Sequence, residues 1–249
     1  MITKLQLGTS RLELLPPKVS SEFLNKSWMH FGDSAIDRIN TVSTFKEIIK
    51  QYSLKYILKR SFQKLFTFNR QTRDELSTND LYQKTNFKEF HFNKGDKLPF
   101  DDNSINFIYS EHFFEHLFLD EALSLFRECY RILKPFGVIR TCVPDADLRT
   151  YTLPEPIGFP DIKLPFSHPS KHKTRWSVYS LPEILRIAGF EASPLHFCTK
   201  EGQYIKTSPQ KNMAKYKKSP EKEVIMSYNY INRLDSLIVD GIKKPPECL

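Results

Sequence analysis

The sequence predicts an α/β fold built around a mostly parallel sheet. Two observations carry this expectation. Residues 105–109 (INFIY) and 138–143 (VIRTCV) read as buried strands, and residues 121–133 between them read as an amphipathic helix. A helical crossover of that length joins neighbouring parallel strands. The 249 residues are 40% hydrophobic and 27% charged, which suits one domain large enough to bury its own core. The whole chain, 1–249, is therefore read as a single domain.

The elements follow in order. Residues 4–7 alternate and stop at Gly8, giving a short strand and a turn. Residues 28–31 (WMHF) form a second strand, closed by Gly32 and Asp33. From 34 to about 68 apolar residues recur at helical spacing, among them Ile36, Ile39, Phe45, Ile48, Ile49, Tyr52, Tyr56 and Ile57. They predict two helices broken near Ser53, within a basic helical insertion at about 34–86. Residues 87–92 are a short strand, and 97–104 (KLPFDDNS) a turn punctuated by Pro and Asn/Asp. The helix at 121–133 has Asp120 as its expected cap and Ala122, Leu125, Phe126, Cys129, Ile132 and Leu133 on one face. Pro135-Phe136-Gly137 ends it. Residues 144–175, rich in proline and without periodicity, read as a long substrate-side loop. A helix at 181–188 closed by Gly189, a strand at 195–198 and a last strand at 236–240 complete the reading.

Composition narrows the function. Only 8 glycines stand beside 16 prolines and 20 phenylalanines, which excludes collagen-like and flexible low-complexity chains. No apolar run is long enough to span a membrane, and no basic leader with an apolar stretch is expected at the start. Cys129, Cys142, Cys198 and Cys248 are too scattered for a disulfide framework, so a reducing cytoplasm is the expected location. The 37 basic and 29 acidic residues leave a net charge of +8. The excess lies in 46–73 and 200–222, where it forms either a solvated surface or an anion-binding rim around a substrate site. The basic, aromatic stretch at 56–68 reads as a core-facing stripe with a lysine-rich outer face, or as a cap or membrane-surface helix. Nucleic acid is not the expected partner.

The runs LPFDDNSINFIYSEHFFEHL (98–117), RECYRILKPFGV (127–138) and VPD (143–145) resemble the class I methyltransferases that use S-adenosylmethionine, in particular the small bacterial group related to methyltransferase type 11. YSLPEILRIAGF (179–190) and SLIVDGIK (236–243) continue the resemblance in the same order. It implies a doubly wound, Rossmann-like sheet of about seven strands, with the ligand beyond the carboxyl ends of the strands. It also implies S-adenosylmethionine as cofactor and methyl transfer to a small-molecule acceptor, anionic or sugar-like.

The same resemblance implies site residues. Gly8 takes the first glycine of the cofactor turn, and Ser10 replaces the next. Asp33 is expected on the ribose hydroxyls. Asn93 is expected on the adenine amino group, with Asp96 as a substitute. Ser110, Glu111 and His112 flank the methionine and the transferred methyl. Asp145, past the end of the 138–143 strand, faces the substrate as a proton acceptor or else caps the next turn. The departures at Ser10, Asn93 and Phe136 keep an alternative in view, a methyltransferase-fold scaffold without catalysis.

Two further clusters stand out. HFFEH (112–116) spells an inverted zincin motif, in which His112 and His116 could chelate zinc from one helix face. In its present register no metal is expected. Glu115 and His116 instead pin the loop after the 105–109 strand, and His112 either joins them or faces the substrate. His168, His172, Lys173, Arg175 and Trp176 gather in the long loop, either as a clamp for a carboxylate, phosphate or sugar or as a solvated surface.

Overall fold

The computed structural model describes residues 1–8, 25–32, 85–148, 172–227, 230–231 and 236–245. The helices read at 34–68, Ser10, Asp33, His168 and Cys248 lie outside the described residues.

Strands β1 (Lys4–Leu7), β2 (Trp28–Gly32), β3 (Phe87–Glu89), β4 (Ile105–Glu111) and β5 (Leu133–Pro144) run parallel to one another. The last strand, β8 (Ser236–Ile242), enters antiparallel between β5 and β6 (Glu191–Cys198). The full order is β3-β2-β1-β4-β5-β8-β6-β7, an eight-stranded sheet. The expectation of about seven strands missed β7 (Tyr204–Lys206), which hairpins onto the edge of β6. Three residues carry too little pattern to be read as a strand; pairing with β6 makes them one.

The chain reverses direction across the sheet between β1 and β4. Those two strands are neighbours, with Leu7 beside Ser110, although nearly the whole first half of the chain separates them. That switch point opens a crevice at the carboxyl ends of the strands.

Helix α1 (Leu119–Ile132) buries Ala122, Leu125, Phe126, Cys129 and Ile132 against one sheet face. The Phe126 ring stacks on Phe114 at 4.0 Å. Its cap differs from the expected one. The cap lies two residues earlier, at Phe118, whose N–H donates to the Glu121 carboxylate at 2.8 Å. Asp120 instead pairs with Lys94 at 3.0 Å. The C-terminal end is closed by the Lys243 ammonium, which donates to the carbonyls of Tyr130 (2.7 Å) and Leu133 (2.8 Å). A cation there also meets the negative end of the helix dipole. Helix α2 (Ser180–Ile187) packs beside α1, and Gly189 follows it at φ +107, as its C-cap reading requires.

The other face is covered by α3 (Met213–Tyr216) and α4 (Lys222–Met226), through Tyr216, Ile225 and Tyr230. Lys215 of this segment reaches Glu191 at 3.8 Å, at the start of β6. Glu221 binds Lys4 (3.5 Å) and Asn106 (3.0 Å), and Lys218 lies over Phe136. These partners sit at the beginnings of strands. The 211–222 part of the basic excess therefore lies toward the opposite edge from the crevice and does not form a rim around it.

A buried ion pair locks this face. Arg140 of β5 donates twice to Asp240 of β8, at 2.8 Å each, and once to the carbonyl of Ile225 at 2.8 Å. Tyr216 donates to the same carboxylate at 2.7 Å. Burial works against the Arg140 charge, but Asp240 outweighs it and holds the guanidinium above its ordinary pKa.

Two outcomes follow from this packing. Asp240→Asn leaves the Arg140 charge buried without its counter-ion and should cost about 3–5 kcal/mol in urea unfolding. On β6, burial, then Lys206 and Arg140, depresses the pKa of His196 below the ordinary 6.5. The folded chain thus keeps His196 neutral while the unfolded chain takes up a proton. Its contribution is complete above about pH 6.5 and is lost as pH falls from there through the folded pKa. His196→Leu should flatten that part of a stability-versus-pH curve.

Candidate active site at the strand ends

Gly8 sits at the carboxyl end of β1 with φ +83, and its N–H donates to the Phe31 carbonyl at 2.9 Å. A Cβ on Gly8 would stand 2.5 Å from Cβ of Phe113. The sequence reading requires glycine here to let a ligand approach. The structure adds a nearer reason, because Phe113 already fills the space beside it. Nothing in the periodicity singles out Phe113; its role arises only when the chain folds back over β1.

His112 makes that fold-back. Its φ is +49, a left-handed value uncommon for a residue with a side chain, and its N–H donates to the Cys142 carbonyl at 2.9 Å. The HFFEH motif is consequently not one helix. His112 stands before a single 3-10 turn, Phe114–His116. The His112 side chain is 48% exposed, whereas His116 is 4% exposed. The two histidines therefore do not form an i, i+4 pair.

Ser110 and Thr141 are register partners on β4 and β5. Both are fully buried, and among the described residues neither Ser110 Oγ nor Thr141 Oγ1 has a hydrogen-bond partner. Each such hydroxyl costs about 1–3 kcal/mol. Two of them side by side at the switch point are an expense that a polar ligand group or ordered water would relieve. Glu111, at the end of β4, accepts from the Tyr109 hydroxyl at 2.8 Å.

Asn93 follows β3 on the same edge and is exposed. Its N–H and its side-chain amide both donate to Asp96, at 2.8 and 3.1 Å. Asp96 is thus the group that orients Asn93.

Asp145 lies just past β5 and is buried. Its Oδ2 accepts from the Cys198 N–H at 2.6 Å and its Oδ1 from the Asp147 N–H at 3.1 Å. Burial pushes the Asp145 carboxyl above the ordinary range, and those two donors pull it back. Trp176 is also buried and bridges to Asp145. The loop cluster is correspondingly divided. His172 meets His116, Lys173 pairs with Glu121 at 3.5 Å, Trp176 is buried, and Arg175 is exposed.

The strand ends thus bring together Gly8, Ser110, Glu111, His112 and Asp145, with Asn93 beyond β3. Residues 62–141 match the family model described as a methyltransferase domain. The match spans about a third of the chain and makes it similar to methyltransferases. The unpartnered hydroxyls beside the Gly8 turn fit a ligand with polar groups at that place, as the S-adenosylmethionine expected from the sequence has.

No curated protein matches the chain. Solved structures similar to it include S-adenosylmethionine-dependent methyltransferases from three organisms. That of Archaeoglobus fulgidus is 13% identical, over 97% of this chain and 86% of that one, with a TM-score of 0.47. That of Thermotoga maritima is 14% identical, over 97% and 82%, with a TM-score of 0.46. That of Aquifex aeolicus is 14% identical, over 97% and 81%, with a TM-score of 0.43. The strand order, rather than these likenesses, carries the fold. Phe136, which departs from the methyltransferase pattern, has φ +64 and lies at the start of β5. That is the opposite end of the strand from the candidate site.

Gly8→Ala should lower stability by about 1–3 kcal/mol, from left-handed strain and the Phe113 contact. Asp145→Asn, which replaces one acceptor oxygen by a donor, should cost a similar amount, about 1–3 kcal/mol. Urea unfolding of the two variants checks both.

Proposed function

We propose that the chain binds S-adenosylmethionine over the Gly8–Ser110 switch point and transfers its methyl group to a small-molecule acceptor, anionic or sugar-like. The observation that carries this reading is the pair of unpartnered buried hydroxyls, Ser110 and Thr141, beside the glycine turn at the sheet's reversal. When bound, the cofactor supplies an activated methyl group.

The protein's own residues then divide the remaining work. Gly8 keeps the backbone low at the end of β1, and Ser10 continues that turn. Asp33 takes the ribose hydroxyls. Asn93, whose amide nitrogen is held by Asp96, presents its carbonyl oxygen to the adenine amino group. Ser110 and Glu111 line the methionine side. His112 faces the acceptor, and the exposed Arg175 offers a charge complementary to an anionic one. The sequence gives Asp145 a proton-accepting role. With both its oxygens engaged by backbone N–H groups, Asp145 serves better by fixing the end of β5 against β6. Holding acceptor and methyl in line can supply several kcal/mol by position alone, so no catalytic triad is required.

Isothermal titration of the full chain with S-adenosylmethionine tests the reading. One site per chain is expected. Asn93→Ala should weaken binding, since it removes the amide oxygen proposed for the adenine amino group. Asn93→Asp would set a second carboxylate against Asp96 and should weaken it as well. Ser110→Val should weaken it by about tenfold, equivalent to roughly 1.4 kcal/mol. Absence of binding to the folded wild-type chain would overturn the proposal.

A further inference from the structure

Beside the strand-end site, the fold brings together three side chains that the sequence does not group. Glu115 and His116 come from the 3-10 turn after β4, and His172 from the segment that packs on it. One ligand atom from each lies within 4.8 Å of the other two. The His116 and His172 ring centroids are 4.9 Å apart, with planes crossing at 79°. Two imidazoles on one tetrahedral ion, through bonds of about 2.1 Å, have centroids about 5 Å apart. The rings therefore already stand at the spacing of a chelating pair. The ligand atoms need only close to about 3.4 Å, the edge of such a tetrahedron, which side-chain rotation can supply.

Glu115 gives a second and independent sign. The residue is 1% exposed, and its Oε2 is buried without a hydrogen-bond partner among the described residues. Its Oε1 meets His112 Nδ1 at 3.2 Å. A carboxylate oxygen buried with no donor is costly, and a cation is the most direct remedy. The surroundings are also fixed. The N–H groups of Lys173 and Thr174 donate to the Glu115 carbonyl at 2.8 and 3.1 Å, and the Thr174 hydroxyl donates to the Phe114 carbonyl at 3.1 Å. The Lys173 ammonium does not compete for the carboxylate. It pairs with Glu121 and lies over the Phe118 ring at 4.3 Å.

We propose that Glu115, His116 and His172 form a binding site for one divalent transition-metal ion of the zinc type. Two imidazoles and a carboxylate suit such an ion, and three protein ligands leave a fourth position for water or another molecule. His112, on the other oxygen of Glu115, orients the carboxylate from the outer shell. The expectation of no metal concerns His112 and His116 as a helical pair. The pair that converges is His116 and His172, which only the folded chain brings together. Occupancy would tie the segment bearing Trp176, and with it Asp145, to the turn that leaves β4.

The test uses the full chain stripped with a chelator and titrated with zinc chloride by calorimetry, with cobalt chloride as a spectroscopic stand-in. One ion per chain, bound at micromolar affinity or better, is expected. Cobalt should give visible bands of a four- or five-coordinate nitrogen–oxygen site. His172→Ala, in a half-buried surface segment, and Glu115→Gln should each weaken zinc binding at least about tenfold. His91→Ala, at an exposed position elsewhere, should leave it unchanged. Absence of stoichiometric zinc, or zinc binding equally strong in both ligand variants, would overturn the proposal. S-adenosylmethionine titration of the same samples reads the methyltransferase site separately, so either proposal can fail alone.

Discussion

The Arg140–Asp240 pair is the constraint on which the sheet's second half depends. Two buried charges in bidentate contact fix β8 against β5 in one register, and the same two residues hold Tyr216 and the Ile225 carbonyl. A slip of β8 by one residue would turn Asp240 into the apolar face packed by α1 and α2 and leave Arg140 buried without its counter-ion, which no pairing there could compensate. With β8 fixed, β6 is fixed beside it, and the Cys198 N–H reaches Asp145. A charge pair in the core thus sets the position of a carboxylate at the sheet's far edge.

The candidate site depends on a different kind of constraint, the close approach of β1 and β4. Gly8 admits Phe113, and the left-handed His112 turns the chain so that Phe113 can lie there. The backbone strain at His112 is local and supported by its bond to Cys142. It places Glu111 and His112 at the rim, and Glu115 and His116 beneath it. One short motif therefore contributes both to the candidate site at the strand ends and to the buried carboxylate–histidine cluster.

Most of the sheet was legible in the sequence because its strands are buried on both faces. Residues 105–109, 138–143 and 236–240 are near-continuous apolar runs, and β4, β5 and β8 contain all of them. The short edge strand β7 was not legible, since pairing rather than pattern defines it. The α1 cap was misplaced for a related reason. Asp120 is a good capping residue, yet Glu121 reaching back to Phe118 satisfies the orphan N–H two residues earlier. The candidate site was legible as positions at strand ends, but not as contacts. Neither the partners of Asp145 nor the position of Phe113 beside Gly8 has any sequence signature.

By itself, the sequence determined the α/β class, the parallel centre of the sheet and the residues that end its strands. Those features follow from local periodicity and turn chemistry, which operate over a few neighbours. The tertiary structure alone decided that the lysines of 211–222 lie away from the crevice, that Asp145 is held by backbone from β6, and that His172 rather than His112 joins His116. Each of these is a contact between segments far apart along the chain. Such contacts are set by strand order and by the direction in which a turn leaves its strand, and no local pattern encodes either.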